Sequence, residues 1–188
     1  MKSALVTHKV HPVTSYREAL QLMRHIPDFP KPGILFQDIT PILGDGPAFS
    51  AIVREITARS SKVDFVAGVE ARGFIFAAAV AHELGVGFIP IRKVGKLPHD
   101  SISRSYGLEY GEATLEIHRD AMADESRVLL IDDILATGGT IGAAIELIEE
   151  LGAIVTDLAF ISQIDELNGL KRISEKYPKI SIHILSSS

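Results

Sequence analysis

Val128-Leu129-Leu130-Ile131-Asp132-Asp133-Ile134-Leu135-Ala136-Thr137-Gly138-Gly139-Thr140 decides how the rest of the chain is read. Four apolar residues run into two adjacent carboxylates, then a small-residue loop, then a segment whose apolar positions Ile141, Ile145, Ile148 and Leu151 recur at helical spacing. The order is strand, loop, helix. An unbroken apolar run is what a strand buried on both faces of a parallel sheet requires, and such sheets place ligands at the carboxyl ends of their strands. Gly138 and Gly139 permit backbone conformations and close approaches that a larger residue blocks, while Thr137 and Thr140 bring hydroxyls beside the orphan amides of a helix N-terminus. Together they form a phosphate cradle. Carboxylates beside a phosphate repel it unless they face neutral hydroxyls or a bound cation. The ligand this stretch fits therefore carries a phosphate at one end and a diol at the other, as a ribose 5-phosphate does. Other phosphate loops are excluded, because no Gly-Lys-Ser or Gly-Lys-Thr stands at Walker spacing and no complete G-x-G-x-x-G occurs.

A length of 188 residues predicts one domain with room for a substantial core. The net charge of -5 argues against a general binder of nucleic acid or anionic membrane, so an anionic ligand must be held by a local site. With no cysteine, disulfides, thiolate metal sites and a cysteine nucleophile are all removed, and a reducing compartment is permitted. Residues 1–14 hold only the short apolar group Ala4-Leu5-Val6, and the run Phe74 to Ala81 is too short to span a bilayer. A soluble, cytoplasmic protein is expected, without internal repeats and with Ser186-Ser187-Ser188 left unstructured.

Along the chain, Ser15 and Glu18 have capping-box spacing, and the helix they open must end by Ile26, ahead of Pro27. Pro27 to Gly33 makes a stiff connection, Ile34 to Ile39 reads as extended, and a second helix opens at Pro47. Phe65 to Val69 reads as the first central strand, followed by Glu70-Ala71-Arg72-Gly73 and an Ala-rich helix to about Leu84, which repeats the strand-loop-helix step. Arg72, just past a strand end, is placed for a second anion; taken alone it reads better as a partner of Glu70. Val86 to Ile91 is another strand. Residues 92–105 lack a helical or alternating pattern and carry Arg92, Lys93, Lys96 and Arg104, so they read as a long mobile lid for an anionic substrate. Residues 104–118 read as a hairpin at the sheet edge, 153–161 as a strand, 165–176 as a last helix and 180–185 as a final strand.

These residues carry a resemblance. The set Phe36-Gln37-Asp38-Ile39-Thr40-Pro41, Gly68 to Phe74, Ile91 to Pro98, Leu108-Glu109-Tyr110-Gly111 and the opening stretch is similar to the adenine-specific branch of the type I phosphoribosyltransferases. It covers the chain from Phe29 to about Ile173. The resemblance implies a mostly parallel α/β sheet flanked by helices. It also implies a small hood built mainly from residues 27–45, a flexible catalytic loop over about 92–107, and a homodimer. The implied reaction moves phosphoribosyl from Mg²⁺-bound phosphoribosyl pyrophosphate (PRPP) to adenine, giving AMP and pyrophosphate, with no partner nucleic acid or membrane.

Carried residue by residue, the resemblance gives Asp132 and Asp133 the ribose hydroxyls, and Ala136, Thr137, Gly138, Gly139 and Thr140 the 5-phosphate. Glu70, Ala71, Arg72 and Gly73, with Arg92, Lys93 and Lys96, meet the pyrophosphate. Leu35, Phe36 and Gln37 form the adenine pocket, with Phe36 stacking on the base. Glu109 lies beside the base's five-membered ring and is, with Arg72, the catalytic candidate. The magnesium ion needs no all-protein site, because pyrophosphate and ribose oxygens can hold it. A non-proline cis peptide at Glu70-Ala71 belongs to the same pattern. Gln37 stands where many relatives have a basic residue, and Gln163 where a Glu is common. Two other functions fit the opening stretch: transfer to another purine base, and a PRPP-binding regulator without chemistry.

Overall fold

The computed structural model describes residue 13, residues 15–107 and residues 112–187. The chain divides into two compact units, Met1–Ile52 and Val53–Ser188, with the division inside a helix.

In the N-terminal unit the capping box forms as its spacing predicts. The Glu18 amide donates to Ser15 Oγ at 3.3 Å and the Ser15 amide to Glu18 Oε2 at 3.1 Å, opening α1 (Tyr16–Leu20). The helix ends earlier than expected, because Arg24–Ile26 is taken up as β1, antiparallel to β2 (Phe36–Asp38). Asp38 pins the turn after β2, accepting from the Thr40 amide at 2.9 Å and pairing with Arg24 at 2.8 Å. A short helix α2 (Thr40–Gly44), absent from the sequence reading, precedes α3 (Gly46–Arg59).

The larger unit is built on a seven-stranded sheet in the order β5-β6-β4-β3-β7-β8-β9. Its strands are β3 (Phe65–Val69), β4 (Gly87–Lys93), β5 (Ser101–Gly107), β6 (Glu112–His118), β7 (Arg127–Leu135), β8 (Ile154–Gln163) and β9 (Ser181–Ser187). Strands β4, β3, β7, β8 and β9 are parallel, and β5–β6 adds an antiparallel hairpin at one edge. Strand β5 starts at Ser101, inside the expected 92–105 loop and three residues before the expected 104–118 hairpin, so the connection out of β4 is only Val94–Asp100. The reason is cross-strand pairing, since every residue of β5 has a partner on β6. Likewise Ser186 and Ser187 pair with Ser162 and Gln163 on β8 instead of hanging free.

The pleat decides which helix each residue meets. Val128 and Leu130 of β7 share a buried cluster with Ala67, Ile89, Leu158 and the α5 (Gly139–Glu150) residues Ile141, Ala144, Ile145 and Ile148. On the other face, α4 (Arg72–Leu84) lies so close to β3 that a Cβ on Gly68 would be 2.6 Å from Ala77 Cβ. Leu129 and Ile131 alternate with Val128 and Leu130, and all four are fully buried, as a central parallel strand requires. After β8 a 3-10 turn (Asp165–Leu167) and α6 (Gly169–Lys176) replace the single expected helix. The break falls at Asn168, whose φ of 55° is left-handed. No helix among the described residues is long and apolar enough to cross a membrane.

At the amino end of β8, Asp157 is buried and accepts from the Ser61 hydroxyl and, at 3.1 Å, faces His183 Nε2. Burial alone would raise its pKa, but the bonds from Ser61, Thr156 and His183 outweigh it and hold the carboxyl below its ordinary value. A depressed pKa stabilises the fold above the unfolded value and loses that contribution as pH falls through the folded one. Asp157→Asn is therefore expected to cost about 1.5–3 kcal/mol at neutral pH, the worth of hydrogen bonds to a charged group, and to lower Tm by roughly 4–10 °C. Thermal melts across pH check this: the gap between variant and parent should narrow on acidification, and a gap that widens would contradict the assignment.

Candidate active site

The site is built where β7 hands over to α5. Gly138 stands at the N-cap of α5 with φ +81°, a conformation that carries an energetic penalty for any residue with a side chain. Glycine offers no capping side chain, and only a long 3.5 Å contact to Thr137 Oγ1 meets the Gly139 amide, so this helix N-terminus is of the kind that attracts an anion. Asp132, Ala136, Thr137, Gly138 and Thr140 line one pocket, closed beneath by Ile141 and Phe160.

The two carboxylates stand side by side at the end of β7, each within hydrogen-bonding reach of the other. Asp132 lines the pocket beside Ala136, Thr137, Gly138 and Thr140, and its Oδ1 also comes within 3.0 Å of where a Cβ on Gly73 of α4 would stand. Asp133 turns to the α4 face, where its Oδ2 lies 2.7 Å from Arg72 Nε. Burial raises the Asp132 pKa well above the ordinary carboxylate range, and the adjacent Asp133 charge adds to it. Burial also raises Asp133, opposed by the Arg72 guanidinium. The Asp133 amide donates to Asp132 Oδ1 at 2.9 Å and fixes that side chain.

The second turn joins β3 to α4. Its Glu70–Ala71 peptide is cis, as the family pattern implies, and Phe29–Pro30 is cis as well. Gly73, in the first turn of α4, is required by close approach: a Cβ there would lie 2.9 Å from the Ile131 carbonyl oxygen and 3.0 Å from Asp132 Oδ1. Arg72 does not pair with Glu70. Glu70 instead takes Arg92 Nε at 3.2 Å and the Lys93 amide at 3.1 Å; although burial favours its neutral form, these contacts hold its pKa below the ordinary value. The Lys93 and Lys96 side chains are exposed beside it. Arg104, grouped with them in the sequence, is taken by Glu146 at 3.5 Å and by Glu150, both on α5.

Three contributors escaped the sequence reading. Glu116 sits in the alternating strand β6, where a charged residue reads as solvent-facing, yet it is only 4 % exposed. Its Oε1 accepts the Lys96 amide at 2.8 Å and the Leu97 amide at 2.7 Å, while Arg92 Nη1 donates to the Lys96 carbonyl at 3.1 Å, so the basic turn is held from both sides. Tyr106 of β5 meets Thr140, its hydroxyl accepting from Oγ1 at 3.2 Å. Gly169 opens α6 directly on the phosphate loop, where a Cβ would stand 2.1 Å from the Ala136 carbonyl oxygen. Only the glycine itself, three residues beyond Glu166 in a segment read as helix, hinted at that contact.

Leu35, Phe36 and Gln37 lie in the N-terminal unit. Leu35 is 51 % exposed, Gln37 is buried, and the Phe36 ring meets Phe29 edge-on at 5.1 Å between centroids. Glu109 falls outside the described residues. Gln163 donates to Asp165 at the end of β8. Among the described residues no cluster of three or more His, Asp or Glu could hold a metal ion; the oxygen donors Asp132 and Asp133 are of the kind a hard cation accepts.

Comparison with known proteins agrees with this geometry. A family model described as a phosphoribosyl transferase domain matches residues 41–181. The adenine phosphoribosyltransferase of Nitrosococcus oceani is 54 % identical over 155 residues, covering 81 % of this chain and 91 % of the relative. The crystal structure of adenine phosphoribosyltransferase from Thermoanaerobacter pseudethanolicus superposes with a TM-score of 0.86 at 44 % identity, covering 93 % of this chain and all of that one. The Saccharomyces cerevisiae adenine phosphoribosyltransferase, solved with adenine and an imino-altritol bisphosphate, gives a TM-score of 0.84 at 35 % identity, over 90 % of this chain and 97 % of that one.

Proposed function

Because the chain belongs to the phosphoribosyltransferase family, in its adenine phosphoribosyltransferase branch, we propose that it transfers phosphoribosyl from the magnesium complex of PRPP to adenine, releasing pyrophosphate and AMP in purine salvage. The observation that carries this reading is the single pocket in which Asp132 faces the backbone of Ala136 to Thr140. A phosphate on the α5 amides puts the attached sugar's hydroxyls toward a carboxylate, a geometry that suits a ribose 5-phosphate and repels a second anion.

In the reaction the bond from ribose C1 to pyrophosphate breaks, and a bond forms from an imidazole-ring nitrogen of adenine to C1. As pyrophosphate departs, positive charge grows on the sugar, and preorganised groups must stabilise both fragments. Arg92, Lys93 and Lys96, with the amides of Ala71 to Gly73, take the leaving polyanion. Arg72 holds Asp133, and through it the end of β7, in place. Asp132 and Asp133 serve the ribose hydroxyls, and magnesium, arriving with PRPP, neutralises the pyrophosphate oxygens. Leu35, Phe36 and Gln37 form the base pocket, Phe36 by stacking. The proton lost from adenine goes to Glu109, directly or through water. The enzyme acts as a cytoplasmic homodimer.

The test is incubation of the purified chain with PRPP and a panel of bases, with and without Mg²⁺. AMP from adenine, dependent on Mg²⁺ and far exceeding product from hypoxanthine or guanine, is the expected result. Equal turnover of hypoxanthine would replace adenine by a broader purine substrate, and binding of PRPP with no turnover of any base would favour the regulator. Glu109→Gln keeps size and removes basicity, so it should lose turnover while still binding PRPP.

A further inference from the structure

We infer that Tyr106 is a positioning residue for the 5-phosphate, acting through Thr140; this rests on the phosphate-loop assignment above. Two observations carry it. Thr140 Oγ1 and the Tyr106 hydroxyl are 3.2 Å apart, joining the first turn of α5 to strand β5. The tyrosine ring is also seated: it packs on the buried cluster beneath α5, and a Cβ on Gly139 would be 3.3 Å from its Cδ2 and 3.3 Å from the Gly107 carbonyl oxygen. The hydroxyl is thus aimed by a half-buried ring held against the phosphate loop itself.

A threonine hydroxyl has one proton to give and two lone pairs to receive. In the structure Thr140 gives its proton to Tyr106. A bound phosphate dianion only accepts, so Thr140 must turn its proton to a phosphate oxygen, and its own oxygen is left needing a donor. The tyrosine O–H supplies it. Binding therefore reverses one hydrogen bond, giving Tyr106 O–H to Thr140 Oγ1–H to phosphate. Donation into the Thr140 oxygen strengthens the bond Thr140 makes to the anion. The device serves only ligands that carry the 5-phosphate; pyrophosphate on the Arg92–Lys96 side gains nothing from it.

Tyr106→Phe keeps the ring and removes the hydroxyl. Calorimetric titration should show AMP binding weakened roughly five- to tenfold, about the worth of one neutral hydrogen bond, with magnesium pyrophosphate binding unchanged. In steady state KM for PRPP should rise by the same factor while kcat holds. In Thr140→Val, adding Tyr106→Phe should weaken AMP no further, because the tyrosine acts only through the threonine. Parental AMP affinity in Tyr106→Phe would overturn the inference. So would an equal loss for AMP and pyrophosphate, which marks a merely structural residue, or additive losses in the double variant. Failure of the parent chain to bind AMP at all would instead bring down the phosphate-loop reading itself.

Discussion

Gly73→Ala is expected to lower kcat/KM for PRPP by about a hundredfold, from one added methyl group that touches no substrate. The new Cβ would lie 2.9 Å from the Ile131 carbonyl oxygen, 3.0 Å from Asp132 Oδ1 and 3.2 Å from Asp132 Cα. Two of those atoms are backbone and cannot swing aside, so either α4 lifts from the sheet or β7 shifts. Each movement disturbs the 2.7 Å Arg72–Asp133 pair and carries Asp132 away from the phosphate loop. Misplacing a binding group by about 1 Å costs on the order of 10²-fold in rate, and overpacking costs about 1–3 kcal/mol of stability. Gly142→Ala is the internal control. Its Cβ would meet only Ile173 Cδ1 at 3.9 Å, so on α5 alanine should be neutral or stabilising. Steady-state kinetics with thermal melts decide the matter; parental kcat/KM and Tm in Gly73→Ala would refute the account.

The second large effect is expected from Asp133→Asn, with a loss of roughly 10²–10³-fold in kcat/KM, comparable to removing one preorganised electrostatic group. Asp133 is nearly buried, and Arg72 is 36 % exposed, so the pair is screened on one side only. The amide leaves the Arg72 charge without its counterion and removes an acceptor from the sugar. The pH profile supplies a sharper reading. Burial and the Asp133 charge both raise Asp132, so the parent's activity should be present where the pair is ionised and fail, as pH falls, above the ordinary carboxylate range. In Asp133→Asn the neighbouring charge is gone and Arg72 acts on Asp132 alone. The acid limb should move to lower pH even as the plateau drops. A limb that stays put or rises would show that the Asp132–Asp133 repulsion does not set it.

Expectation and structure differ along a consistent line. Where an element buries both faces, as in Phe65–Val69, or carries a strong local signal, as in the Ser15–Glu18 box, the reading located it to within a residue or so. Where pairing across strands decides, it did not. Strand β1 falls in the expected tail of a helix and the first three residues of β5 in the expected loop, because neither carries a pattern that survives without its partner. The helix expected over 165–176 breaks at Asn168 for a similar reason, since Gly169 must bring α6 onto the Ala136 carbonyl, a constraint imposed by a loop some thirty residues earlier.

By itself, the order of residue types in Val128–Thr140 determined a parallel-sheet strand ending in acid, a glycine-rich turn and a helix, because period, charge and glycine content are local properties. The same reasoning singled out Arg72 and the Arg92–Lys96 cluster as cations at or just past strand ends. Tertiary structure alone decided the pairing. Asp133 goes to Arg72, Glu70 goes to Arg92, Arg104 goes to α5, and Glu116 turns inward to hold the Lys96 and Leu97 amides. A charge's chemical role is written in its side chain, but its partner is whichever opposite group the packed sheet brings within about 3 Å, and burial then makes that choice energetically binding.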